Sequence, residues 1–254
     1  MEKIAIISDI HGNLPALEAV LNDINKRDVS KVICLGDLVG KGPQSKEVIE
    51  VCKKTCDTIV AGNWDHFISD EKTVVDDSIL WYRQQITEEG LAYLRQLPHV
   101  VGFYLSGKYV RLFHAHPHSL FKRLYADSPL NERLTLFEIP KLTSLESEQI
   151  ESLIVGYGDI HGGYLQYLEN GKILFNVGSV GNSCDSIPMA SYVILEGVLD
   201  SEAEADFSIQ FHRVSYDVEF AISLSEAIGL PHALEYAKEL RTGVYCQRHY
   251  NDSK

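Results

Sequence analysis

The stretch that decides the fold lies near the amino terminus and reads Ile4-Ala5-Ile6-Ile7-Ser8-Asp9-Ile10-His11-Gly12-Asn13. An apolar run of this kind is typical of a buried parallel strand, and Asn13 suits the N-cap of a helix that follows it. Groups just past the carboxyl end of such a strand face the ligand crevice of an open α/β sheet. Asp9 and His11 can turn into that crevice together, where oxygen and nitrogen donors suit a divalent transition metal.

The pattern of this stretch repeats through the first third of the chain. Residues 31–36 and 58–61 are predicted as two further strands, separated by helices at 14–27 and 44–54. A βαβαβ order implies a parallel sheet with right-handed crossovers. Asp37 follows the second strand and Asn63 follows the third, so each strand delivers a metal-capable side chain at its carboxyl end.

Composition excludes several classes of partner. The chain has 254 residues, of which 45% are hydrophobic, enough for a sizeable core. Its 23 basic and 36 acidic residues give a net charge of −13, which disfavours non-specific binding to nucleic acid or acidic lipid. The five cysteines form no C-x-x-C pair and suit buried thiols. With no run of membrane-spanning length, we expect a cytoplasmic protein that contacts no membrane.

The rest of the chain is predicted to complete one domain spanning residues 1–254. The alternation of strands and helices is interrupted at residues 67–98 and 118–150, which are interpreted as insertions that form a cap or lid. The other predicted elements are helices at 78–85, 87–97, 218–228 and 231–241, strands at 152–157, 190–195 and 208–214, and hairpins at 100–114 and 165–177. Asn170-Gly171 is the strongest hairpin signal. Residues 230–240 are apolar enough for a homo-oligomer face, although packing in the core explains them equally well.

Metal-capable side chains follow five predicted strands. They are Asp9, His11, Asp37, Asn63, His114, Asp159 and His161. Seven such ligands could hold two cations about 3.5–4 Å apart, with one carboxylate bridging them.

These motifs resemble the calcineurin-like metallophosphoesterase superfamily. The loop 176–182, with Ala190-Ser191-Tyr192, also resembles a stretch of its small bacterial and archaeal members. The family pattern of D-x-H, G-D-x-x, G-N-H-[DE], a lone His and G-H-x-H reads here as Asp9-Ile10-His11, Gly36-Asp37-Leu38-Val39, Gly62-Asn63-Trp64-Asp65, His114 and Gly158-Asp159-Ile160-His161. The match runs from about residue 1 to residue 196. It implies a four-layer α-β-β-α sandwich with a small helical cap.

The resemblance also implies a role for each matched position. Asp9, His11 and His161 would hold a first metal ion, and Asp37 would bridge. Asn63 and His114 would hold a second ion, joined by Asp159. The implied chemistry is in-line attack of a metal-activated hydroxide on phosphorus, with Asp37 and Asn63 in the catalytic set.

Two positions depart from the family pattern. Asp159 replaces a histidine, and its harder oxygen donors favour Mn or Fe over Zn, with Mg, Ni and Co also compatible. Trp64 replaces the histidine that aids departure of the leaving group, and His66 or His116 is the candidate substitute. A phosphoanhydride suffers least from that loss, because its leaving phosphate is already a weak base.

The substrate prediction rests on these departures. Trp64 offers a flat face on which a nucleobase could stack, although core packing is an equally good interpretation. G-N-W-[DE] also resembles the asymmetrical dinucleoside tetraphosphate hydrolases, so a small phosphorylated substrate of the nucleotide class is favoured. The other candidate substrate-binding residues are Asn13, Arg83, Lys122, Arg123 and Arg133, for which a solvated lid face is the alternative.

Three alternative functions stay open at this point. Members of this fold can lose active-site histidines, which leaves a catalytically silent scaffold as one alternative to a hydrolase. The others are a phosphoprotein phosphatase and a cyclic phosphodiesterase. The acidic balance argues against the open basic groove that a phosphoprotein phosphatase needs.

Overall fold

Two five-stranded sheets form the centre of the computed structural model, which describes residues 1–72, 76–140 and 150–246. The described strands are β1 (Glu2–Ile7), β2 (Lys31–Cys34), β3 (Thr58–Ile59), β4 (Val100–Leu105), β5 (Lys108–Phe113), β6 (Ile154–Tyr157), β7 (Tyr164–Tyr167), β8 (Ile173–Asn176), β9 (Ala190–Gly197) and β10 (Ser208–Val214). The described helices are α1 (Leu14–Ile24), α2 (Ser45–Thr55), α3 (Asn63–Ser69), α4 (Asp77–Gln84), α5 (Glu88–Arg95), α6 (Leu130–Leu134), α7 (Val218–Ala227) and α8 (Ala233–Thr242).

The first sheet has the order β10-β9-β1-β2-β3. Strands β1, β2 and β3 are parallel, with Ile6 opposite Ile33, which confirms the predicted βαβαβ unit. The second sheet has the order β4-β5-β6-β8-β7, with β5, β6 and β8 parallel. The hairpin between β7 and β8 turns at Asn170 and Gly171, whose φ angles are 58° and 72°, and it confirms the turn predicted there.

Successive side chains of a strand point to opposite faces of its sheet, and this alternation explains how the sheets pack. Ile4 and Ile6 point from β1 into the layer between the sheets, where they meet side chains such as Leu112 and Phe175. Ala5 and Ile7 point to the other face, which the helices cover. Residues around Leu124, Leu136 and Phe137 cover the outer face of the second sheet. The result is the predicted four-layer sandwich.

Several predicted boundaries differ from the observed ones. The second strand ends at Cys34 instead of residue 36 because the backbone turns at Gly36, with a φ of 90°, beside Gly62. Helix α3, which the sequence analysis missed, begins directly at Asn63. The carboxylate of Asp65 accepts the Gly62 N–H at 3.0 Å and closes its first turn.

The predicted insertions differ in how they pack. In the segment 67–98, Tyr82, Leu91 and Leu94 join the apolar core on the helical face of the first sheet. In the segment 118–150, α6 and a 3-10 turn at Thr135–Phe137 are present, and residues 141–149 lie outside the described residues.

The helix proposed as an oligomer face is largely committed to the core. Tyr236, Ala237 and Leu240 of α8 are buried there, while Leu234 is exposed. No helix in the described part of the chain combines the length and apolar character needed to cross a membrane.

Candidate metal centre

The predicted ligands meet where strands of the two sheets end. Asp9, His11, Asp37, Asp159 and His161 all adopt the left-handed region, with φ angles between 49° and 66°. This region costs a non-glycine residue about 1–2 kcal/mol. Backbone hydrogen bonds hold the turns in place, including Asp9 N–H to Gly36 at 3.0 Å and His11 N–H to Asp37 at 2.9 Å. Strain of this kind at the ends of several strands is characteristic of a functional site.

Backbone carbonyls orient three buried histidines. The Nδ1 atom of His11 lies 3.1 Å from the carbonyl oxygen of Val39. The Nδ1 atom of His114 lies 2.7 Å from the carbonyl oxygen of Leu35. In His161 the Nδ1 lies 2.5 Å from the oxygen of Asn182. Because a carbonyl can only accept, each Nδ1 carries a proton and each Nε2 is directed inward. Histidine ligands of metals are oriented by the same kind of bond.

The inward atoms lie close to one another. The two Nε2 atoms of His11 and His161 are 3.1 Å apart, and Asp9 Oδ1 is 3.2 Å from His161 Nε2. Asp37 Oδ2 lies 3.4 Å from His11 Nε2 and 3.5 Å from His114 Nε2. Asn63 Oδ1 lies 3.2 Å from His114 Nε2. The distances place six of the seven predicted ligands in one cluster.

The cluster fits a metal cation. Asp9, His11 and His161 form one group of suitable ligand atoms, and Asp9, Asp37 and His114 form a second. Asp9 Oδ1 is buried and accepts no hydrogen bond of good geometry from the described residues. The Nε2 atoms of His11 and His161 converge on Oδ1 of Asp9, at 3.8 and 3.2 Å, an arrangement that suits a shared cation. Imidazole, carboxylate and amide donors suit a first-row transition metal.

The electrostatics of the cluster favour a positive charge. Burial and the Lys41 ammonium lower the pKa of His161, but the Asp9 carboxylate outweighs both and raises it to about 9. Burial, with Lys41 and His161, holds the pKa of His11 well below its ordinary value. Burial acts to raise the pKa of Asp9, yet His161 and His114 hold it well below the usual range. The Asp9 carboxylate is therefore charged and attracts a cation.

Asp65 holds the backbone around the predicted ligand Asp37, a role that was not predicted from the sequence. Its Oδ2 accepts the N–H groups of Asp37 at 2.8 Å and Gly62 at 3.0 Å, and its Oδ1 accepts that of Leu38 at 3.0 Å. Burial and the Asp37 carboxylate raise the pKa of Asp65 to about 7, against the effect of these N–H donors. The only signal in the sequence was the acid at the end of the G-N-W-D motif.

Asp159 and Arg123 form a pair at the edge of the cluster. Arg123 donates from Nε to Oδ2 of Asp159 at 2.8 Å and from Nη2 to Oδ1 at 2.7 Å. Oδ1 of Asp159 lies 3.9 Å from His114 Nε2. Both oxygens of this predicted ligand thus face a guanidinium.

A cavity of about 490 Å³ opens beside this pair. Its lining includes Lys41, Arg123, Tyr125, His161, Tyr164 and Tyr245. Lys41, which the sequence analysis also missed, is buried with Nζ 3.4 Å from His161 Nε2 and 3.3 Å from Asn182 Oδ1. The cavity therefore combines cationic groups near the cluster with tyrosine rings.

Trp64 packs beside the cluster. Its ring centroid lies 5.9 Å from that of His11 and 6.0 Å from that of Tyr82, both edge to face. The ring covers Gly40, where an added Cβ would lie 2.2 Å from Cε3 of Trp64. Its backbone N–H donates to Asp37 Oδ1 at 2.8 Å. The half-buried ring thus acts in packing.

The two candidate general acids lie elsewhere. His66, whose side chain is 43% exposed, lines a second cavity with His99 and His118. His116 is buried, with Nε2 2.9 Å from Thr135 Oγ1. Burial and the nearby Lys122 lower the pKa of His116 to about 4. Neither His66 nor His116 is among the described residues that line the first cavity.

The remaining candidate substrate-binding residues have partners within the protein. Asn13 caps α1 through Oδ1, which accepts the Ala16 N–H at 3.2 Å. Lys122 Nζ lies 3.2 Å from His116 Nε2. Arg83 donates to the backbone oxygens of residues 67, 68 and 70, and Arg133 donates to the Ser128 oxygen and to Gln166.

The chain belongs to the calcineurin-like phosphoesterase superfamily, whose domain model matches residues 2–198. It is therefore a metal-dependent phosphoesterase, a hydrolase of phosphoric ester or anhydride bonds. It is 35% identical over 233 residues to an uncharacterised protein of Methanocaldococcus jannaschii, covering 86% of this chain and 89% of that protein.

Two crystal structures are similar over almost their whole length. A metallophosphoesterase from Sphaerobacter thermophilus is 26% identical to this chain, with a TM-score of 0.71, and the match covers 96% of this chain and 99% of that protein. A hypothetical protein from Pyrococcus horikoshii is 21% identical, covers 97% and 100%, and gives a TM-score of 0.77. The second likeness shows the shared fold.

Proposed function

We propose that this chain hydrolyses a small organic phosphate with two metal ions, Mn or Fe for preference. The observation that carries the proposal is the set of three buried histidines whose Nδ1 atoms contact backbone carbonyls and whose Nε2 atoms converge on carboxylates. The residues that would hold the ions are Asp9, His11, Asp37, Asn63, His114 and His161. Bound metal ions supply a water nucleophile of lowered pKa and neutralise charge that develops on phosphorus.

Asp37 is the residue that we assign to both ions. A single oxygen, Oδ2, is nearly equidistant from His11 Nε2 and His114 Nε2, at 3.4 and 3.5 Å. The other oxygen accepts the Trp64 N–H, and the backbone N–H of Asp37 donates to Asp65. These bonds fix the carboxylate before any ligand binds, as preorganised catalysis requires.

We infer that the substrate is a nucleotide or dinucleoside polyphosphate. Lys41 and Arg123 supply positive charge for phosphate oxygens beside the cluster. Tyr125 and Tyr245 line the same cavity and are 51% and 55% exposed, so their rings are accessible to a base. They suit stacking better than Trp64, whose ring is packed between His11 and Tyr82.

Substitution of Asp37 tests the assignment of the centre. We expect Asp37→Asn to abolish Mn-dependent hydrolysis of an aryl phosphodiester, because an amide cannot share an anionic oxygen between two cations. Asp206→Asn, the same change at an exposed side chain, is the matched control and should leave the rate unchanged. Circular dichroism establishes that both variants are folded. Undiminished activity of Asp37→Asn would refute the assignment.

A substrate panel tests the class. The purified protein, with its metal content measured by elemental analysis, is incubated with dinucleoside polyphosphates, nucleotides, cyclic nucleotides and phosphopeptides. Preferential cleavage of a phosphoanhydride supports the proposal. Cleavage confined to cyclic nucleotides or phosphopeptides would contradict it and would favour a cyclic phosphodiesterase or a phosphoprotein phosphatase.

A further inference from the structure

We infer that Asp159 is a positioning residue that holds Arg123 as a phosphate-binding group at the cavity, and that it does not ligate metal. The inference rests on the proposed function, since it assigns the groups that receive the phosphate. It also replaces the role expected for Asp159 from the sequence.

The geometry favours pairing over ligation. The two charge-assisted bonds between Arg123 and Asp159, at 2.8 and 2.7 Å, form a parallel fork that engages both carboxylate oxygens. Oδ1 of Asp159 is 3.9 Å from His114 Nε2, whereas Asn63 Oδ1 is only 3.2 Å from the same nitrogen. The Asp159 carboxylate is thus turned towards Arg123.

Charge balance gives the pair its energetic reason. The side chain of Asp159 is only 3% exposed, and a buried carboxylate without a cation is strongly unfavourable. Asp9 and Asp37 already place negative charge beside it. The guanidinium of Arg123 balances the third carboxylate, so a metal ion would compete with Arg123 for Asp159.

Arg123 also retains the means to bind a ligand. A guanidinium carries five N–H donors. Two of them bond to Asp159, and the side chain is 43% exposed in the cavity wall. Arg123 also bonds to Tyr125, and its remaining donors are available to a phosphate. Since Lys41 lines the same cavity, a phosphate bound there would meet two cations, one of them locked in orientation by Asp159.

Metal titration separates the two roles of Asp159. Isothermal titration with MnCl₂, followed by dialysis and elemental analysis, compares the wild-type protein with Arg123→Ala, Asp159→Asn and His114→Ala. We expect Asp159→Asn to keep the wild-type metal content, whereas His114→Ala loses metal. Of the two Mn ions, the one that is bound more weakly should bind to Arg123→Ala on the order of tenfold more tightly than to the wild-type protein, because the Asp159 carboxylate becomes available to the metal.

Phosphate binding supplies the second readout. For the Mn-loaded protein we expect Arg123→Ala and Arg123→Lys to weaken binding of inorganic phosphate by about tenfold, and Asp159→Asn to weaken it in the same direction. Arg27→Ala is the matched control, because Arg27 makes the same fork, from Nε to Oδ2 and from Nη2 to Oδ1, with Asp23, and it should bind phosphate and Mn as the wild-type protein does.

Two results would overturn the inference. Loss of metal from Asp159→Asn to the extent seen in His114→Ala would make Asp159 a ligand. Unchanged phosphate affinity in Arg123→Ala would remove Arg123 from the site. Failure of the proposed function has a different signature, namely a wild-type protein that binds Mn and phosphate as expected but hydrolyses no phosphate compound.

Discussion

Replacing Asp65 by asparagine is the sharpest test of how the centre is built. The change keeps the size of the side chain and removes one oxygen acceptor. The carboxylate of Asp65 now accepts three buried backbone N–H groups, those of Asp37, Leu38 and Gly62, at 2.8–3.0 Å. An asparagine can satisfy these donors with only one oxygen, and its own NH₂ group must then face at least one N–H donor.

The size of the effect follows from the number of donors left unpaired. With the amide oxygen at the present Oδ2 position, the Leu38 N–H loses its acceptor; in the other orientation, Asp37 and Gly62 lose theirs. Each buried donor without an acceptor costs about 1–3 kcal/mol. We therefore expect the free energy of unfolding to fall by about 2–5 kcal/mol.

Urea denaturation followed by circular dichroism measures this loss. Asp57→Asn is the matched control, because the exposed Asp57 carboxylate accepts a single backbone N–H, that of Val32, at 2.8 Å. It should lose no more than about 1 kcal/mol. The Asp65 variant should also bind Mn more weakly, since the backbone around Asp37 loses at least one of its three bonds to residue 65. Stability equal to that of Asp57→Asn would refute the reasoning.

Two further outcomes follow from other contacts. Gly40→Ala should destabilise by about 2–4 kcal/mol and shift the tryptophan fluorescence, because its Cβ would meet the Trp64 ring at 2.2 Å. Gly171→Ala has a similar positive φ and open space, so it should lose only about 1 kcal/mol. Arg27 and Tyr192 hydrogen bonds lower the pKa of Asp23, although burial opposes them. This stabilisation is present above the unfolded carboxyl pKa and is lost as the pH falls through the lower folded value. Asp23→Asn should therefore reduce the difference in unfolding free energy between pH 7 and pH 3, and an unchanged difference would contradict this linkage.

Sequence patterns predicted the elements that hydrophobic periodicity controls. The strands before Asp9 and Asp37 are apolar on both faces because they lie between a helical layer and a second sheet, and this is visible as an unbroken apolar run. Helix α3 escaped prediction because it is short and only three residues separate it from the end of β3. Its N-terminus depends on Asp65 and on the loop at Asp37, which is distant in sequence.

The site was predictable only as far as its motifs extend. Asp9, His11 and His114 could be found because each follows a recognisable strand. The pair formed by Arg123 and Asp159 joins residues 36 positions apart, and Lys41 reaches Asn182 across 141 positions. Neither contact leaves a local pattern, because both depend on how the loops fold over the sheet ends.

The position of the centre links its chemistry to the packing of the two sheets. Asp9 and Asp37 follow strands of the first sheet, whereas His114 and His161 follow strands of the second. Besides hydrogen bonds such as the one that His114 Nδ1 donates to the Leu35 carbonyl, the apolar layer between the two sheets holds them together. A cation bound by ligands from both sheets therefore adds a direct connection across that layer. Because the unfolded chain lacks this ligand set, binding must also stabilise the folded protein, and a looser apolar layer must weaken binding.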